Sequence, residues 1–412
     1  MTSSHTTSKK YRARWIVPLC SPVVHDGVIS IVEGRVAAVE PYQGQTDLID
    51  LGDAAILPGL VNAHTHLEFS DLAAPIGTAG MSIADWLPEV VRARRLQQLT
   101  QDQRMAAILK GIDEVVRDGT ALLGEIATKP WPYEAVAAQQ SLASGSDLRI
   151  VGFCEVLGLS PGRSQEMLDW ADTQIADGGN DRIEFGISPH APYSVPPALL
   201  EACIDRARNH SIPLAIHLAE SLEERRFIES GDGPLRETFE SLGLPGLEQY
   251  PLAISIDQMI QRVATTPRGL LVHGNYLSAD EIQSIASHRQ RLSVVYCPRT
   301  HAFFDHAPHP VADLMAAGVR VALGTDSRAS NPDLDLWNEV RHLLLNRQDL
   351  DPRDVVAMAT LQGADALGQP NYGRLQPGSD GQLFVLRTAA RTEASLWETL
   401  LDAQPTNLLG EL

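Results

Sequence analysis

Eight apolar runs of strand length, separated by longer segments with helical periodicity, limit the folds open to this 412-residue chain more than any other feature. The runs are 56–63, 121–126, 149–156, 183–188, 213–218, 269–273, 292–296 and 319–324. They are continuous rather than alternating, as expected of parallel strands covered on both faces. Between them lie amphipathic segments. Residues 105–117 bring Ile108, Ile112, Val115 and Val116 to one face, and 197–209 opens with Pro197 in its first turn. A last helix is expected over 352–367. Strands alternating with helices eight times fit a (β/α)8 TIM-type barrel better than an open doubly wound sheet, and neither GxGxxG nor GxxxxGK[ST] occurs to favour the latter.

The flanks follow another pattern. Short β-rich runs at 14–18, 27–32 and 35–39 are split by Asp26-Gly27 and Glu33-Gly34, too closely for helices to intervene. The pattern returns at 373–375 and 382–386. The α/β chain is therefore expected to have a flexible tail (1–10), a small split β-sandwich domain built from both termini (11–56 and 369–412), and the barrel (57–368).

Composition removes several function classes. A formal charge of −19 and a pI near 5.0 leave no cationic surplus to displace counterions from a phosphate backbone, so no nucleic-acid partner is expected. No apolar run is long enough for a membrane span. Cys20, Cys154, Cys203 and Cys297 lie far apart without a CxxC pair, which suits reduced thiols and a cytoplasmic protein. A small-molecule substrate is the expected partner, and a homodimer is compatible with the sequence.

The polar residues that follow the runs carry the chemistry. In a parallel barrel, functional groups gather at the C-terminal strand ends. The first run ends in His64-Thr65-His66, whose two imidazoles share one face because strand side chains alternate. The fourth leads to Ser188-Pro189-His190, the fifth to His217-Leu218-Ala219-Glu220, the sixth to His273 and the eighth to Thr325-Asp326-Ser327. Imidazoles and a carboxylate converging on one rim suit a divalent ion.

This set resembles the amidohydrolase superfamily, in its metal-dependent deaminase and chlorohydrolase branch, from Pro58-Gly59-Leu60-Val61-Asn62-Ala63-His64-Thr65-His66 to Gly324-Thr325-Asp326-Ser327. The resemblance implies that His64, His66, His217 and Asp326 hold one divalent ion, Zn2+ first and Fe2+ second. Binuclear relatives need a bridging carboxylated lysine at the end of strand 4; that end carries His190 here, and Lys129 follows strand 2. Glu220 takes the place of the family's proton shuttle. His273 would orient the attacking water, and Asp326 would receive its proton. The implied function is hydrolytic deamination of an aminated heteroaromatic ring, with hydrolysis of s-triazine or pyrimidine rings as the alternative and a metal-binding scaffold as the alternative of another class.

Substrate contacts are expected from His190 and from Trp86 as an apolar wall. The stretch Cys297-Pro298-Arg299-Thr300-His301 departs from the Cys-Pro-X-Ser-Asn version of adenosine-type deaminases and resembles that of aminodeoxyfutalosine deaminases. Arg299, His301 and Arg328 would supply positive charge for a substrate carboxylate. The alternative for Arg328 is an ion pair with Asp333 or Asp335.

Overall fold

The computed structural model describes residues 8–142 and 148–406. Residues 1–7 of the segment expected to be a tail, and 407–412 of the C-terminal segment, lie outside them; Ser8 already begins a strand. The strands are β1 (Ser8–Ile16), β2 (Val24–Val32), β3 (Arg35–Pro41), β4 (Ile49–Asp50), β5 (Ala54–Pro58), β6 (Leu60–Thr65), β7 (Thr120–Ala127), β8 (Arg149–Val156), β9 (Ile183–Pro189), β10 (Leu214–Leu218), β11 (Gly269–His273), β12 (Leu292–Tyr296), β13 (Arg320–Leu323), β14 (Leu383–Arg387) and β15 (Gln404–Thr406).

Strands β6 to β13 form one eight-stranded sheet whose neighbours follow chain order. Each pairing between neighbours is parallel, with Leu218 of β10 opposite His273 of β11. The sheet closes at its ends. Thr65 and Asp326 form a parallel bridge, and the Asp326 amide donates to the His64 carbonyl at 3.0 Å. Gly324 is required at this seam, because a Cβ there would lie 2.8 Å from His64 Cβ and 2.9 Å from its carbonyl oxygen. Each of the eight expected runs contributes a barrel strand.

Inside the barrel Val61, Leu122, Phe153, Leu270 and Val295 pack together, and helix Leu361–Leu367 adds Ala364 and Leu367 to this interior. A larger core lies between the strands and the helices outside them, including Ile108, Ile112 and Val115 of helix Gln101–Arg117. That helix starts four residues before the expected segment, because Thr100 and Gln103 form a reciprocal cap. The expected final helix is instead two, Pro352–Met358 and Leu361–Leu367, broken where Thr360 leaves helical geometry with φ −142° and ψ −98°.

The terminal segments form a mixed seven-stranded sheet in the order β15-β14-β5-β1-β2-β3, with β4 beside β1. The run 56–63 is divided between the two sheets. Up to Pro58 it pairs with β14, and from Leu60 it belongs to the barrel. Gly59 makes the crossing, packed so closely that a Cβ would lie 2.5 Å from Ala121 Cβ. Across the junction, Trp337 of helix Leu336–Asn346 packs against Phe384 of β14, ring centroids 5.2 Å apart and planes tilted by 50°.

Trp337 is wholly buried, so Trp337→Ala opens a cavity where the sheet meets the barrel. Urea unfolding should show a loss of about 3–5 kcal/mol. A change below about 1 kcal/mol would mean that this junction does not support the fold.

Candidate metal centre

The barrel seam brings strand ends distant in sequence within a few ångströms. Asp326 Oδ1 lies 3.6 Å from Nε2 of both His64 and His66. His217, from the end of β10, places its ring centroid 5.0 Å from that of His64 and 5.4 Å from that of His66. One ring nitrogen from each of these histidines lies within 4.8 Å of the others, a grouping able to hold an ion.

The proton positions fit this. His217 Nδ1 lies 2.7 Å from the His190 carbonyl, which can only accept, so Nδ1 carries the hydrogen and Nε2 keeps its lone pair. Nε2 of His64 is buried and has no hydrogen-bond partner among the described residues. Burial, followed by the charge of neighbouring histidines, pulls His66 and His217 well below the ordinary imidazole range, while the Asp326 charge opposes this. Neutral imidazoles are ligands. Burial works to raise the Asp326 carboxyl, but His64, His273 and His66 outweigh it and hold the group low and ionised. Three imidazoles with one carboxylate are a donor set that Zn2+ or Fe2+ accepts.

Glu220 and His273 stand beside this group. His273 Nε2 is 3.5 Å from Glu220 Oε1, and its ring centroid is 5.4 Å from that of His217. Burial, then the charges of Asp326 and Glu224, pushes the Glu220 carboxyl well above its ordinary range, which favours the protonated form. Three residues of these strand ends adopt left-handed backbone, Ala219 (φ 54°), His273 (φ 70°) and Asp326 (φ 57°). Such a conformation costs roughly 1–2 kcal/mol each for a non-glycine residue, so neighbouring contacts must hold it.

Buried carboxylates absent from the sequence-based set supply much of that support. Glu125 of β7 accepts from Thr65 Oγ1 at 2.9 Å and from the Leu67 amide, bracing the histidine pair between its members and just after it. Glu224 accepts from the amides of Ala219 (3.1 Å) and Glu220 (2.7 Å). Glu339 accepts from Asn331 Nδ2 at 2.7 Å, and Asn331 also donates to the Thr325 carbonyl at 2.8 Å. Asn62 links the first and last barrel strands by donating to Thr325 Oγ1 at 2.8 Å. Glu125 did leave a sequence signal, a carboxylate inside an otherwise apolar run.

The residues expected to meet the substrate divide. His190 lies at the site, its ring centroid 5.1 Å from that of His217 and its Nδ1 2.6 Å from Ser194 Oγ. Burial, then the charges of Arg94 and His64, lowers its pKa to about 4. Trp86 is half-buried, donates Nε1–H to the Ile76 carbonyl at 3.0 Å and meets Phe304 edge-on at 5.2 Å. His301 is engaged with the Ala307 carbonyl at 2.9 Å.

Arg299 and Arg328 are not presented to a substrate carboxylate. Arg299 is held by Glu339 (Nε to Oε1, 2.7 Å) and by both oxygens of Asp333, at 3.0 and 2.6 Å. Arg328 binds Glu114 at 2.7 Å and the Leu72 carbonyl at 3.0 Å; its acidic partner is neither Asp333 nor Asp335. The physical reason is charge compensation, since a nearly buried guanidinium beside buried carboxylates is most stable paired with them. The arginine whose charge reaches His190 is Arg94, which pairs with Glu68 and lies 4.6 Å from the Phe69 ring centroid. Glu68 shares the Thr128 hydroxyl with Glu155, at 2.9 and 3.3 Å. Lys129 is turned to Glu166, at 2.8 Å.

These features agree with the comparisons. The profile described as Amidohydrolase family matches residues 55–407, and the chain belongs to that family. It is 30% identical over 396 residues to a 5-methylthioadenosine/S-adenosylhomocysteine deaminase of Nitratidesulfovibrio vulgaris, covering 89% of this chain and 81% of the relative. It is also 30% identical over 326 residues to the aminodeoxyfutalosine deaminase of Deinococcus radiodurans, covering 76% and 74%. The crystal structure of Helicobacter pylori aminofutalosine deaminase superposes with a TM-score of 0.80 at 22% identity, covering 97% of this chain and 98% of that one, which shows a shared fold. Among the described residues no helix is long and apolar enough to cross a membrane.

Arg299→Ala tests the reassignment of Arg299. Removing one partner of this buried pair should destabilise the protein by about 3–5 kcal/mol in urea unfolding. KM values for carboxylated and uncharged substrates should change by the same factor; a loss confined to carboxylated substrates would restore Arg299 to the binding site.

Proposed function

We propose that this protein is a metal-dependent hydrolytic deaminase that acts on an aminated heteroaromatic ring, of the adenine-nucleoside type exemplified by aminodeoxyfutalosine. The observation that carries the reading is the convergence of His64, His66, His217 and Asp326 beside a buried Glu220 and His273. Two relatives at 30% identity are by name deaminases, one of 5-methylthioadenosine and S-adenosylhomocysteine and one of aminodeoxyfutalosine, which supports the substrate class.

His64, His66 and His217 would bind the ion through ring nitrogens, and Asp326 through a carboxylate oxygen. Zn2+ is the proposed ion and Fe2+ the alternative that the same donors accept. When bound, a divalent ion supplies the Lewis acidity that makes water nucleophilic near neutral pH. Asp326, held ionised, takes a proton from the attacking water. Glu220, favoured in its protonated form, gives a proton to the ring nitrogen next to the carbon under attack, so that the ring accepts the electron pair. His273, within 3.5 Å of Glu220, orients the water and stabilises the charge that develops. Asp326 then returns the water proton to the amino group, the carbon–nitrogen bond breaks and ammonia leaves, while the proton on the attacking oxygen passes to Glu220 and a ring carbonyl remains. His190, neutral at pH 7, is proposed to contact the substrate, and Trp86 to wall the ring.

The test is ammonia release from aminodeoxyfutalosine, 5-methylthioadenosine, S-adenosylhomocysteine and adenosine by Zn2+-loaded protein, with s-triazines assayed for chloride or alkylamine. Glu220→Gln should retain the ion and lose about 100- to 10,000-fold in turnover. Near-parental turnover in that variant would remove Glu220 as the proton carrier. Release of chloride or alkylamine without any ammonia would replace the deaminase reading.

A further inference from the structure

Asp326 has two carboxylate oxygens, and the structure treats them differently. Oδ1 faces the histidines, 3.6 Å from Nε2 of both His64 and His66. Oδ2 faces the loop that follows and lies 3.0 Å from Ser330 Oγ. Ser330 is wholly buried, as is Thr300 apart from 1% of its surface, and their hydroxyl oxygens are 3.0 Å apart. A carboxylate only accepts, so the Ser330 proton points to Asp326. The Ser330 oxygen then accepts from Thr300, and the chain of donors runs from Thr300 to Ser330 to Asp326.

The loop is fixed by a second set of contacts. Asn331 uses one amide hydrogen on the Thr325 carbonyl at 2.8 Å and the other on Glu339 at 2.7 Å. Glu339 is wholly buried and is held by Arg299 through its amide at 2.9 Å and its Nε at 2.7 Å. Ser330 therefore cannot shift without disturbing a buried ion pair. The left-handed backbone of Asp326 adds to the need, because a strained residue keeps its orientation only when its surroundings impose it.

We propose that Ser330 is a positioning residue of the metal centre: its hydroxyl, oriented by Thr300, holds Oδ2 of Asp326 so that Asp326 offers Oδ1 alone to the ion. The remaining carboxylate oxygen is thereby kept off the ion, and the coordination position used by water stays open. Arg299, through Glu339 and Asn331, belongs to the support of this arrangement. The proposal rests on the assignment of Asp326 to the metal centre made above.

Ser330→Ala and Thr300→Val are compared with the parent and with Thr300→Ser, which keeps the hydroxyl. The readouts are Zn2+ affinity by chelator competition and the visible spectrum of Co2+-loaded protein, in which added coordination lowers molar absorptivity. Ser330→Ala should weaken Zn2+ binding by about 10- to 100-fold and lower the Co2+ absorptivity as Oδ2 joins the ion. Thr300→Val should shift both in the same direction, with an affinity loss of about 3- to 10-fold, and Thr300→Ser should match the parent. Should Ser330→Ala not fold, Thr300→Val against Thr300→Ser decides. Affinities within about twofold of the parent and superimposable Co2+ spectra in the folded variants would overturn the role of Ser330. If Asp326→Ala also leaves Zn2+ affinity unchanged, the assignment of Asp326 itself falls; a weakened Asp326→Ala beside an unaffected Ser330→Ala overturns only the present proposal.

Discussion

The closure of the barrel between its first and last strands is the contact on which the site depends. The Asp326 amide binds the His64 carbonyl, and Gly324 lets the two backbones meet. This hydrogen bond, with those between Asn62 and Thr325, links the segment that carries His64 and His66 to the loop that carries Asp326. His217 then approaches from across the barrel mouth. A sheet left open at this seam would separate the histidine pair from the carboxylate, although every other strand could still pair with its neighbour.

Around the seam, buried carboxylates act as internal acceptors. Glu125 steadies the segment between and after the paired histidines, Glu224 the turn that carries Glu220, and Glu339 the loop after Asp326. Each accepts hydrogen bonds from the backbone or side chains of a strand end and so opposes the cost of its irregular geometry. Burial raises the carboxyls of Glu125 and Glu339, and Glu224 is raised to about 7, so these groups sit where a missing donor would be costly. Arg299 compensates Glu339, and Arg328 does the same for Glu114. The same physics that disqualified the two arginines as free anion receptors makes them useful to the site.

The barrel was legible because parallel strands buried on both faces leave continuous apolar runs, and every one of the eight contributed a barrel strand. The division of the first run at Gly59 was not, because an apolar strand of the terminal sheet passes into an apolar strand of the barrel with a single residue between. The grouping of His64, His66, His217 and Asp326 was legible since barrel topology collects strand ends at one rim. The surroundings of Arg299 and Arg328 were not. Arg328 meets Glu114 across 214 positions of sequence, and Arg299 meets Glu339 across 40, so local spacing offered no sign that either charge was already matched. Ser330 and Asn331 resemble ordinary polar loop residues until the loop is folded against the seam.

The central claim is that the seam builds one metal centre from His64, His66, His217 and Asp326. Metal analysis by mass spectrometry of Zn2+-supplemented, desalted protein tests it most directly, on the parent and on His217→Ala and Asp326→Ala. One ion per chain is expected in the parent, with loss of that ion from both variants after brief exposure to chelator. An ion retained equally by all three proteins, or no ion in the folded parent, would contradict it.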